Sequence, residues 1–154
     1  MLLAAMAQSF DPAALAILST TDLSIFAIPE RRCEMAGVQG KAFDSADQTR
    51  TPAKTRVEVV HIGATTAARM TFEPGWKWSE CVKPVAGTES CQARHVGVVQ
   101  SGTLHVTHED GSEADLGPGD AYVIEPGHDA WVIGDGRFVG SEFEPRAAEE
   151  YARQ

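Results

Sequence analysis

From Arg56 to Phe143 the chain never runs far before a turn, because a turn signal interrupts it about every eight to twelve residues. Arg56-Val57-Glu58-Val59-Val60-His61-Ile62 is rich in β-branched residues, and Thr66 to Phe72 and Trp76 to Val82 read as two further strands. Ala93 to Gln100 runs into Ser101-Gly102, and Thr103 to Thr107 runs into Glu109-Asp110-Gly111. Ala121 to Ile124 lies between two Pro-Gly turns, Asp129 to Ile133 follows the second, and Phe138 to Phe143 follows Asp135-Gly136. Segments this short bury one face each, at every second residue, and must close against one another. The sequence therefore predicts an all-β fold, an antiparallel sandwich or barrel. A length of 154 residues suits one such domain, and a hydrophobic content of 43% can fill its core.

The first 55 residues have a different texture. Asp11 can cap a helix with Pro12 at its first position, so a short helix is predicted over about Pro12 to Ser19. Residues 29 to 55 mix Pro, Gly, Ser, Thr and charge without a period, and read as an arm with at most one short strand. The expected organisation is a helix and arm over 1–55, a barrel over 56–145 and an acidic tail over 146–154. Residues 110 to 154 hold eleven acids against three bases, read here as solvated turns and tail. A formal charge of −9 with no basic stripe argues against nucleic acid as a partner. No apolar run approaches the roughly 20 residues that cross a bilayer, which argues against a membrane partner. Met1 to Ala7 is apolar but has no basic residue before it, unlike a secretory leader, so the expected location is cytoplasmic. The three cysteines, Cys33, Cys81 and Cys91, are an odd set and are expected as free thiols there.

The most specific stretch is Gly117-Pro118-Gly119-Asp120-Ala121-Tyr122-Val123-Ile124-Glu125-Pro126-Gly127-His128. A Pro-Gly turn feeds a short strand, a second Pro-Gly reverses it, and a histidine follows at once. Here the sequence resembles the cupin family of small jelly-roll β-barrels, over roughly residues 56 to 143. One motif of that family runs Gly, five residues, His-x-His, three or four residues, Glu, six residues, Gly. Counted from Gly75, its histidine pair falls on Cys81 and Lys83; counted back from Gly102, its glutamate falls on His95. The second motif runs Gly, five residues, Pro-x-Gly, two residues, His. From Gly119 it reaches Pro126 one residue late; with Glu125 in the Pro place instead, the histidine place falls on Ala130 and His128 stands two residues early. The resemblance implies a cupin-type jelly-roll β-barrel with an interior metal or ligand site.

Ligand chemistry narrows the candidates. Alternation places Cys91, Ala93, His95 and Gly97 on one face, and Cys81 with Lys83 on one face of the Trp76–Val82 strand. If those strands are neighbours, Cys81 and His95 point into one cavity and His128 completes a three-ligand set. Imidazole with thiolate suits a divalent transition metal, Fe, Zn, Cu or Ni, and three protein ligands leave a position for water or substrate. On this reading the protein is a small-molecule enzyme of the metal-dependent oxygenase or isomerase class, with Lys83 or Glu80 supplying proton transfer or counter-charge. Trp131 and Tyr122 are the candidate substrate-contacting residues. Two other readings stand beside it: a non-catalytic small-molecule-binding barrel, in which Lys83 holds a carboxylate, and a metal-free enzyme with His95 or His128 as general base. His61 reads as structural, His105 as facing solvent if Leu104 and Val106 face the core, and His108 as part of a hairpin loop. Trp76 and Trp78 share the face opposite Cys81, and an outer patch of two indoles would be covered by a second subunit, making a homodimer.

Overall fold

The structure is a computed structural model and describes residues 37–143. The helix expected at 12–19 and the tail at 146–154 lie outside the described residues. Among the described residues a 3-10 turn, Phe43–Ser45, precedes strand β1 (Gln48–Arg50). Then come β2 (Thr55–Ile62) and β3 (Thr65–Phe72), two short helices, α1 (Trp78–Cys81) and α2 (Lys83–Ala86), and strands β4 (His95–Ser101) and β5 (Thr103–His108). Strands β6 (Glu113–Leu116), β7 (Ala121–Ile124), β8 (His128–Ile133) and β9 (Phe138–Glu142) follow. They form a six-stranded sheet in the order β1-β2-β3-β9-β4-β7 and a three-stranded sheet in the order β6-β5-β8. Every pairing is antiparallel, and the two sheets are not joined into one closed hydrogen-bonded barrel. The all-β expectation holds.

One apolar cluster joins the inner faces of both sheets. Val57, Val59, Met70, Phe72 and Phe138 come from the large sheet, while Leu104, Val106, Ala130 and Val132 come from the small one. Phe138 stacks on Phe72 at 5.6 Å, and Phe72 lies flat against Trp76 at 3.9 Å. Among the described residues no helix is long and apolar enough to cross a membrane.

The segment after Gly75 departs from expectation. Trp76 to Val82 does not form a strand: only Lys77 bridges to Trp131, and the chain then turns into α1 and α2. The sequence pattern admits both readings, since Trp78 and Val82 stand at i, i+4 and share the buried face of a helix as well. Asp129 decides it. Its Oδ1 accepts the Ser79 N–H at 3.1 Å, satisfying a donor in the first turn of α1, and Pro84 stands in the first turn of α2, where a missing N–H costs little. Trp76 and Trp78 are consequently interior, at 2% and 3% exposure, and form no outer patch for a second subunit to cover.

On the other face of β2, Glu58 is buried and accepts Arg69 Nε at 2.6 Å and Arg56 at 2.9 and 3.0 Å. The Arg69 hydrogen bond is the largest cause of a Glu58 pKa held below its ordinary 4.5. A carboxyl with a depressed folded-state pKa contributes stability that is present above the unfolded pKa and lost as pH falls through the folded one. Glu58→Gln should therefore cost about 1–2 kcal/mol at pH 7, discounted for the partly exposed arginines. The gap to the parent should close as pH drops below 4.5. Urea unfolding at a series of pH values checks this, and a gap independent of pH would refute it.

Candidate metal centre

His95 opens β4, where His95, Gly97 and Val99 are buried and the alternate residues are not. Gly97 lies opposite Tyr122 of β7 on one side and Glu142 of β9 on the other. A Cβ at Gly97 would come within 2.7 Å of the Tyr122 hydroxyl and 2.5 Å of the Ser141 carbonyl oxygen. Because glycine has none, the phenol reaches across β4 and donates to Glu142 Oε1 at 3.0 Å. The same carboxylate accepts His95 Nδ1–H at 2.9 and 3.0 Å.

The other half of the site is fixed at the start of β8. Gly127, at φ 104°, takes a backbone conformation that L side chains rarely adopt and brings His128 inward. Its N–H donates to the Cys91 carbonyl at 2.7 Å, and the Cys91 N–H donates to the His128 carbonyl at 2.8 Å. Those two bonds hold Cys91 beside His128. The His128 Nδ1–H donates to the Glu125 carbonyl at 2.7 Å. With Nδ1 committed as donor in both rings, Nε2 is the atom each ring has left to offer a metal.

The convergence is tight. Cys91 Sγ stands 3.6 Å from His95 Nε2, and the two imidazoles meet edge to face with centroids 5.2 Å apart. The candidate ligand atoms of Cys91, His95 and His128 all lie within 4.8 Å of one another, and all three residues are buried. Burial raises the Cys91 thiol pKa, but hydrogen bonds with His128 and His95 outweigh it and bring the group down to about 6. Burial also disfavours a charged His95, yet Glu142 beside Nδ1 and Cys91 beside Nε2 prevail and hold the ring above its ordinary value. Burial and the neighbouring Glu142 push the Tyr122 phenol up, keeping its proton in place as a donor.

Does this set fit a metal ion? On a tetrahedral zinc-like ion, a sulfur at about 2.3 Å and a nitrogen at about 2.0–2.1 Å stand about 3.5 Å apart. The observed separation is 3.6 Å. One thiolate and two imidazoles suit zinc, iron, copper or nickel rather than calcium or magnesium. Both histidines already carry the outer partners, a carboxylate and a backbone carbonyl, that metal-binding imidazoles require. The donor set fits a divalent transition metal.

The two histidines line a chamber of about 20 Å³ walled by Phe72, Trp76, Trp78 and Phe138, with Tyr122 and Glu142 as its other polar lining. That is room for one or two water-sized occupants.

Of the residues singled out in the sequence, His95 and His128 are brought together and Tyr122 lines the same chamber. Cys81 is not with them: it sits on α1, half-buried against the core, and Cys91 takes the place beside His95. Lys83 pairs with Glu89 at 2.6 Å on α2, and Glu80 is exposed, so neither reaches the chamber. Trp131 faces away from it, since β8 turns His128, Ala130 and Val132 inward and Trp131 outward, against His105 at 4.3 Å. Glu142, read from sequence as one of many solvated acids, is 4% exposed and central. The alternation Phe138-x-Gly140-x-Glu142 was the available signal, because it places Glu142 on the face of a core phenylalanine.

Comparison with solved structures bears on the fold. A protein of unknown function from Rhizobium leguminosarum aligns with a TM-score of 0.52 at 20% identity, covering 71% of this chain and 99% of that one. The chain shares the fold of that protein. Two structures align with a TM-score of 0.49. One is a cupin-superfamily sugar phosphate isomerase from Silicibacter pomeroyi, at 16% identity over 67% of this chain and 73% of its own. The other is the oxalate decarboxylase of Lactobacillus farciminis in complex with formate, at 18% identity over 73% of this chain and 35% of its own. No family model matches the chain, and no curated protein matches it in sequence. Within the cupin pattern, with the glutamate place on His95, a three-residue spacer puts the second histidine place on Cys91. That register accounts for Cys91 where counting from Gly75 pointed to Cys81.

Proposed function

We propose that this protein is a cupin-type, metal-dependent small-molecule enzyme, with Cys91, His95 and His128 as the ligands of one divalent transition-metal ion. The observation that carries the reading is the approach of three donor atoms within 4.8 Å, with both imidazole Nδ1 atoms already occupied. When bound, such an ion with three protein ligands supplies a Lewis acid with an open position for water or a substrate oxygen.

The chain's own residues do the rest. Glu142 fixes the plane and tautomer of His95 through Nδ1. Tyr122 donates to that carboxylate and keeps its own proton, so it limits the freedom of Glu142 rather than taking up charge. The aromatic walls make the surroundings of the two histidines mostly apolar, which strengthens electrostatic contacts there. A chamber of about 20 Å³ admits the reacting end of a substrate and not a whole organic molecule. Lys83 and Glu80, outside the chamber, can act only on the part of a ligand that remains outside it.

Elemental analysis of protein purified without a histidine tag tests the proposal. It should return about one equivalent of zinc, iron, copper or nickel per chain, or show uptake of one equivalent of added Zn(II). A protein that neither carries nor takes up a metal would end this reading. It would favour a metal-free barrel that binds small ligands.

A further inference from the structure

The small sheet leaves part of its inner face uncovered. Register sets Leu116 opposite Leu104 and Ala114 opposite Val106, so all four side chains belong to the core-facing side. Leu104 and Val106 are buried, yet Ala114 is exposed and Leu116 only half-buried. The cause is topological. Among the described residues β6 pairs only with β5 and β7 only with β4, so neither sheet closes onto the other there. A cleft of about 300 Å³ lies between these two edges, with Val106, Ala114 and Leu116 on one side and Val123 and Ile124 on the other. That volume holds about ten non-hydrogen atoms at liquid density, the size of a small organic ligand. Ile124 lines the metal chamber as well, so the cleft adjoins the candidate metal centre.

Charge restricts what this cleft accepts. Asp110, Glu113 and Glu125 line it, and no lysine or arginine does among the described residues. Asp110 is engaged by Ser112 and by His108, whose Nδ1 stands 3.0 Å away, and Glu125 pairs with Arg94 at 3.0 Å. Glu113 meets His105 Nε2 only at 4.0 Å, which leaves its charge the least compensated of the three. Resting on the metal centre proposed above, we infer that the cleft between β6 and β7 binds the body of the substrate, and that this body is an apolar organic cation. Its hydrocarbon lies against Val106, Ala114 and Leu116, and its ammonium group meets Glu113 at the rim. Covering Ala114 and Leu116 supplies the apolar burial that the open edge denies them. A phosphorylated or carboxylate-bearing body would bring its charge against three carboxylates, which disfavours it. The small chamber then needs to receive only the reacting end.

The test titrates the full chain with two probes of matched size, 4-phenylbutylamine and 4-phenylbutyrate, and reads the methyl signals of alanine, leucine and valine by 13C NMR. The amine should bind and shift the methyl signals of Ala114, Val106 and Leu116, and the carboxylate should bind about tenfold more weakly. Glu113→Lys changes a side chain that is 72% exposed, so the fold should be kept. It should weaken the amine about fivefold, as expected for one exposed charge pair, and remove the preference for it over the carboxylate. Ala114→Phe should fill the cleft and abolish binding of both probes. The assignment would be overturned by a carboxylate bound as tightly as the amine, by shifts confined to methyl groups outside the cleft, or by an Ala114→Phe variant that binds like the parent. If Ala114→Phe does not fold, the parent and Glu113→Lys decide the matter. The titration is run in the presence of a chelator and again after loading with Zn(II). A chain that takes up no zinc therefore ends the metal reading on its own, and a cleft that fails this test leaves zinc uptake as it was.

Discussion

His95→Ala should lose the metal and about 3–5 kcal/mol of stability together, the usual cost of stranding a buried charged group. His128→Ala should lose the metal for a smaller penalty of about 1–3 kcal/mol. The difference follows from what each ring touches. His95 is held between the Cys91 sulfur and the Glu142 carboxylate, and Glu142 is 4% exposed. Removing the imidazole leaves that carboxylate with the Tyr122 hydroxyl alone. The Nδ1 of His128 satisfies only the Glu125 backbone carbonyl, an uncharged acceptor. Urea unfolding in the presence of a chelator separates the two contributions, since metal binding is then absent in all three proteins. Equal penalties for the two variants would contradict the assignment of Glu142 to His95.

Glu142→Gln should lower metal affinity about 10- to 100-fold, the range seen when the outer partner of a metal-binding histidine is replaced. The amide is nearly the same size and still accepts one hydrogen bond, so the fold should survive. The loss comes from the charge that makes His95 a better donor and from the second oxygen that fixes its ring plane. Tyr122→Phe should have a much smaller effect, because the phenol touches the carboxylate and not the imidazole. Competition for Zn(II) against a chelator of known affinity gives the comparison. A Glu142→Gln variant as tight as the parent would show that the carboxylate has no part in holding the site.

Much of the fold was legible because turn residues mark the boundaries of its short strands. Gly102 and the Pro-Gly pairs before β7 and β8 fall between strands in the structure. The exception was Trp76 to Val82, where apolar spacing fits a strand or a helix. The choice depended on Asp129, fifty residues away, capping α1. Half of the site was legible too. His95 and His128 follow from alternation and from the Pro-Gly-His turn, and alternation also put Cys91 on the face of His95. The ligand set still went to Cys81, because the pairing of Cys91 with His128 runs through two backbone hydrogen bonds between distant segments. Glu142 was hidden by composition. In a stretch so rich in acids, only its register with Gly97 distinguishes it from the solvated ones. The same register explains the glycine itself, which gives up a side chain so that Tyr122 can reach the carboxylate.

Substitution of cobalt(II) reports most directly on whether Cys91, His95 and His128 share one ion, because a thiolate ligand gives cobalt an intense near-ultraviolet charge-transfer band. The parent and Cys81→Ser should both bind one equivalent of Co(II) and show that band, and Cys91→Ser should lack it. A band that survives in Cys91→Ser and disappears in Cys81→Ser would place the sulfur ligand on α1 and contradict the site described here.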